Sequence, residues 1–87
     1  MPDPHAVIAE KIVEAIHAER KRLGWSQETL AVAAGVSNSC IRHLEHQRAT
    51  PTLITLLKLA SALDLDLADL LRAAQTNPEP RSRKTRR

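Results

Sequence analysis

Gly35 and Ser37 stand one residue apart in the run Ala34-Gly35-Val36-Ser37, and that spacing governs what the chain can become. Glycine accepts positive φ and ends a helix in a left-handed turn. Serine caps the free amides of a new helix. Ser26 opens the helix that Gly35 closes, so the first of the pair runs from Gln27 to about Ala34, barely two turns. The second starts at Asn38. Two short helices joined this tightly cannot lie antiparallel; they must cross steeply.

The rest of the chain reads as helices placed around that pair. Asp3-Pro4 is a cap followed by proline at the first helical position, and Val7, Ile8, Ile12, Ala15, Ile16 and Leu23 follow at helical spacing until Gly24. The helix after Ser37 ends near His46 and points Ile41 and Leu44 inward. Burying that pair contributes about 1.5–3 kcal/mol each. Thr50-Pro51 repeats the cap-plus-proline start for a fourth helix with Leu53, Leu56, Leu57, Ala60 and Leu63. Asp66 and Asp69 frame a fifth helix holding Leu67, Leu70 and Leu71. The composition agrees: no Phe or Tyr, one Trp, two Gly, and an apolar set of Leu, Ala, Ile and Val. The expected fold class is all-α, with one domain over residues 1–74 and a disordered basic tail over 75–87. The single cysteine excludes an intrachain disulfide. Neither a membrane-length apolar run nor a signal peptide is evident, so the expected location is the cytoplasm.

Charge separates these parts. The chain carries +3 over 87 residues, but residues 75–87 hold five Lys/Arg against Glu79, a net +4, which leaves residues 1–74 at −1. Within that body, residues 1–19 are at −3, residues 20–50 at +3 and residues 51–74 at −1. The positive part coincides with the crossed pair of helices, a charge pattern suited to nucleic acid.

The ordered set Arg20, Gly24-Trp25-Ser26-Gln27-Glu28, Leu30-Ala31, Ala34-Gly35-Val36-Ser37, Ile41, Leu44-Glu45, Pro51, Leu56 and Leu59-Ala60 resembles the lambda repressor/Cro-like (XRE-family) helix-turn-helix proteins over residues 12–72. The resemblance implies a five-helix DNA-binding domain whose second motif helix enters the major groove. Ser37, Asn38, Ser39, Arg42 and His43 would then form the base-reading face, Asn suiting adenine and Arg suiting guanine. Gln27 matches a position that bonds the phosphate backbone, with Arg22, Arg48 and Thr50 as further phosphate contacts. Arg20 and Glu45 match an ion pair between the first and third helices; near the surface such a pair contributes about 0–1 kcal/mol. Gln47 and Asp64 stand where that family often has glycine, so the path of the chain before Arg48 is expected to differ, while Asp tolerates the left-handed region better than most residues.

A domain with so few contacts reads too little sequence alone, so a homodimer on a pseudo-palindromic operator is expected, with half-sites roughly 34 Å apart. Leu65, Leu67, Leu70 and Leu71 are more leucines than one short helix can bury on its own domain, and are the expected dimer seam. The expected function is transcriptional regulation, as a repressor, with double-stranded DNA as partner. The alternatives are an antitoxin that also represses its operon, with a toxin as second partner, or a protein-only interaction module. No ligand-sensing domain is expected. Catalysis has no frame: Ser, His and Asp occur without a nucleophile elbow or phosphate loop, so no enzyme activity and no cofactor are expected. His43-x-x-His46 lacks a third ligand, so no metal is expected. Cys40 and Trp25 read as packing residues.

Overall fold

A computed structural model describes residues 3–75, and these form five helices: α1 Pro4–Arg22, α2 Gln27–Ala34, α3 Asn38–Glu45, α4 Leu53–Ala62 and α5 Leu67–Gln75. Each begins on a polar side chain that accepts an orphan amide: Asp3 from His5, Ser26 from Thr29, Ser37 from Cys40, Thr52 from Thr55 and Asp66 from Ala68, all at 2.9–3.1 Å. Such a cap contributes about 1 kcal/mol. The start of α4 corrects the sequence reading. Its cap is Thr52, not Thr50, and Pro51 precedes the cap instead of following it.

The first four helices all close the same way. Gly24, Gly35, Gln47 and Asp64 lie at φ +74, +72, +59 and +58. Each donates its N–H to a carbonyl three residues back, and the next residue donates to one five back. This is the paired closure in which a left-handed residue lets a helix satisfy its last carbonyls. Trp25, Val36 and Leu65, which follow three of these residues, pack partly buried against the core. Arg48, which follows Gln47, is exposed. Gln47 therefore follows the path a glycine would take, at the cost of a strained φ. Gln47→Gly is expected to raise the urea midpoint by an amount equal to about 0.5–1 kcal/mol, because it relieves that strain less the entropy glycine adds to the unfolded chain.

The core joins Ile12, Val13 and Ile16 of α1 to Leu30, Ala31 and Ala34 of α2, Ile41 and Leu44 of α3, Leu59 and Leu63, and Ala74 of α5. Helix α1 lies against α3 and α5, while α2 packs on α3 and α4. One apolar stripe differs from that read in the sequence. On α4 the buried residues are Leu59 and Ala60, while Leu53 and Leu57 are exposed. On α2, Leu30, Ala31 and Ala34 turn inward, and Val32 is 76% exposed. The basic tail lies outside the described residues, except that Gln75 closes α5. Among the described residues, no helix is long and apolar enough to cross a membrane.

Candidate nucleic-acid interface

Helix α3 divides its short length between two tasks. Ile41 and Leu44 are buried against the other helices, 1% and 4% exposed. Asn38, Ser39, Arg42 and His43 are exposed. Arg42 Nη2 lies 3.3 Å from Ser39 Oγ, so the two side chains meet on one turn of that outer face. Ser37 is exposed too, but its Oγ accepts the Cys40 amide at 3.0 Å, which leaves its hydroxyl hydrogen and one lone pair for an outside partner.

Orientation of α3 depends on a polar cluster at its far end. Arg20 of α1 is buried, and its Nε donates to Glu45 Oε2 at 2.8 Å and its Nη2 to Glu45 Oε1 at 3.1 Å. Its Nη1 donates to the Trp25 carbonyl at 2.6 Å. This planar, two-point geometry is the strong form of the Arg–carboxylate contact. The Glu45 side chain is only 7% exposed. The pair is thus a buried one, and the near-surface value of about 0–1 kcal/mol does not describe it. Burial pushes the Glu45 carboxyl up, but hydrogen bonds from Arg20, Gln27 and His17, with the charge of Arg20, outweigh it and hold it below the usual carboxylate range.

Two members of this cluster were not foreseen. His17 Nδ1 lies 2.9 Å from Glu45 Oε1, and Gln27 Nε2 donates to the same oxygen at 2.9 Å. His17 sits three residues before Arg20, on the same helix face; that spacing was the available signal. Of the phosphate candidates, Gln27 is therefore drawn into the ion pair, with one amide hydrogen committed to Glu45. Arg22 is held differently: its Nε and Nη2 donate to the two oxygens of Glu19 at 2.8 and 2.6 Å. That contact holds the Glu19 carboxyl below its usual range and the Arg22 guanidinium above its own. Arg48 and Thr50 are exposed in the turn between α3 and α4, where they line a shallow cleft of about 230 Å³ with Glu10 and Val13 of α1.

The leucines of the expected seam do not share one environment. Leu65, Leu67 and Leu70 are partly buried on their own core, so only Leu71 is exposed. The exposed apolar surface continues instead onto α4, through Leu53 and Ile54, each 65% exposed, and Leu57. An open groove lined by Leu57, Ala60, Leu65, Leu67 and Leu71 connects the two helices.

A family model described as Helix-turn-helix matches residues 16–70. The chain is similar to the HTH-type transcriptional regulator SutR of Escherichia coli (strain K12), 33% identical over 57 residues, which cover 66% of this chain and 32% of that protein. It thus spans about a third of the length of that relative. Among solved structures it is similar to a hypothetical transcription factor, NHTF, from Neisseria. The TM-score is 0.67 and the identity 30%, over 82% of this chain and 79% of that one.

Proposed function

Because this chain belongs to the lambda repressor/Cro-like helix-turn-helix family, we propose that it is a sequence-specific transcriptional repressor that binds a pseudo-palindromic operator as a homodimer in the cytoplasm. The observation that carries this reading is the division of α3, with Ile41 and Leu44 buried and Asn38, Ser39, Arg42 and His43 exposed within the one positive segment of the domain. Those four, with the hydroxyl of Ser37, read base edges in the major groove. Gln27 contacts a phosphate with its second amide hydrogen. Arg48 and Thr50 add phosphate contacts, and Arg22 does so by exchanging Glu19 for a phosphate oxygen. The dimer seam runs over the exposed apolar surface of α5 and α4, with Leu71 at its centre and Leu65, Leu67 and Leu70 lining its inner side. Arg20 and Glu45 hold α3 in place and do not touch DNA.

Selection of bound duplexes from a random pool is the test. A pair of inverted half-sites about 34 Å apart is expected. On the selected duplex, Arg42→Ala and Asn38→Ala each cost about 1–3 kcal/mol and relax the preference at one base position. Gln27→Ala weakens binding to all duplexes alike. Unchanged affinity in both Arg42→Ala and Asn38→Ala would remove α3 as the reading helix, and an absence of salt-dependent binding would remove DNA as the partner.

A further inference from the structure

We propose that His17 is a positioning residue for DNA binding: its ring holds the Glu45 carboxylate, which in turn aims the Gln27 amide at a DNA phosphate. The proposal rests on the phosphate role given to Gln27 above. Its geometric basis is that a single atom, Glu45 Oε1, serves three donors, with His17 Nδ1 and Gln27 Nε2 at 2.9 Å and Arg20 Nη2 at 3.1 Å. An ionised carboxylate only accepts, so His17 Nδ1 carries its hydrogen at this contact. The nearby Arg20 Nη2, 3.5 Å from His17 Nδ1, is itself a donor, and leaves Glu45 as the partner of that hydrogen.

The three donors are not equivalent. Arg20 is fixed independently, through its bond to the Trp25 carbonyl and its own burial. His17 stands on the solvent side of the cluster, its side chain 39% exposed against 9% for Arg20 and 7% for Glu45. Glu45 is the last residue of α3, so its side chain is held in place by these donors and not by a following turn of helix. Without the His17 ring, Oε1 loses its outer donor and the carboxylate tilts about its two remaining bonds to Arg20. The Gln27 amide, which takes its direction from Oε1, turns with it. The second amide hydrogen then no longer points where a phosphate would lie. A network of this kind couples its members, so the effect of removing one depends on the presence of the others.

The experiment compares His17→Leu, His17→Asn, Gln27→Ala and the double variant His17→Leu with Gln27→Ala. Binding is measured to the selected duplex and to an unrelated duplex of equal length, at a temperature where circular dichroism shows every variant folded. His17→Leu is expected to weaken binding to both duplexes by the same factor, about three- to tenfold. His17→Asn restores it, because the asparagine amide nitrogen takes the place of Nδ1. In the Gln27→Ala background, His17→Leu has no further effect. The proposal is overturned by an equal loss in that background, by failure of asparagine to restore binding, or by a lowered melting temperature with unchanged affinity. If Gln27→Ala alone leaves binding untouched, the phosphate role fails and this proposal fails with it. Should His17→Leu not fold, His17→Gln replaces it, since its amide lies one carbon farther out.

Discussion

Glu45→Ala is expected to lower the folding stability by about 3–5 kcal/mol, a large share of what a domain of this size possesses. The loss is not that of an attractive contact alone. Arg20 stays buried, still tied to the Trp25 carbonyl, with its charge uncompensated. Gln27 and His17 lose their common acceptor as well. Replacing both ends by apolar residues, as in Arg20→Met with Glu45→Leu, is expected to recover most of the loss, since the desolvation of two charges then disappears with their attraction. Acid gives a second check. The Glu45 carboxyl is depressed in the folded state, so its contribution is complete above the ordinary carboxylate value of about 4.3 and fades as the pH falls through the folded value. The difference in urea stability between the parent protein and Glu45→Gln should therefore be full at pH 7 and shrink below pH 4. A Glu45→Ala variant that loses under about 1 kcal/mol would mean that the pair behaves as a solvated surface pair.

Ile41→Ala is expected to cost about 2–5 kcal/mol, through lost apolar burial and the cavity left behind. Ile41 is 1% exposed in the core shared by α2, α3 and the helices around them, and Ala31 and Ala34 of the same core have no spare methylenes to fill the gap. At about 4–8 °C per kcal/mol for a domain of this length, the melting temperature should fall by at least about 8 °C. Ile41→Val keeps most of the volume and should cost about 0.5–1.5 kcal/mol. A melting temperature for Ile41→Ala equal to that of Ile41→Val would show that the core closes around the missing atoms.

Local chemistry was the legible part of this sequence. The caps at Asp3, Ser26, Ser37 and Asp66 and the reversals at Gly24, Gly35 and Asp64 are decided within a few residues, and the helices follow from them. The run Thr50-Pro51-Thr52 offered two caps, and the choice fell to Thr52, which reaches the Thr55 amide. What sequence could not give were properties of the crossings between helices. On α4, either of two leucine-rich faces suits a helix. Docking against α2 and α5 selected Leu59 and Leu63 over Leu53 and Leu57. The partnership of His17 and Gln27 on Glu45 is of the same kind: three residues on three helices meet only because α1, α2 and α3 converge there. The burial of the Arg20–Glu45 pair is another product of that convergence.

The division of α3 has an evolutionary consequence. Asn38, Ser39, Arg42 and His43 sit outside the core that folds the domain, and substitutions at such exposed positions usually change stability by no more than about 0.5 kcal/mol. Ile41, Leu44 and Glu45, interleaved with them, are held by packing and by the ion pair. On the proposed reading of α3, a duplicated copy of this gene can therefore drift to a new target site through those four positions while its fold remains under unchanged selection. Related domains with unlike operators should differ there first.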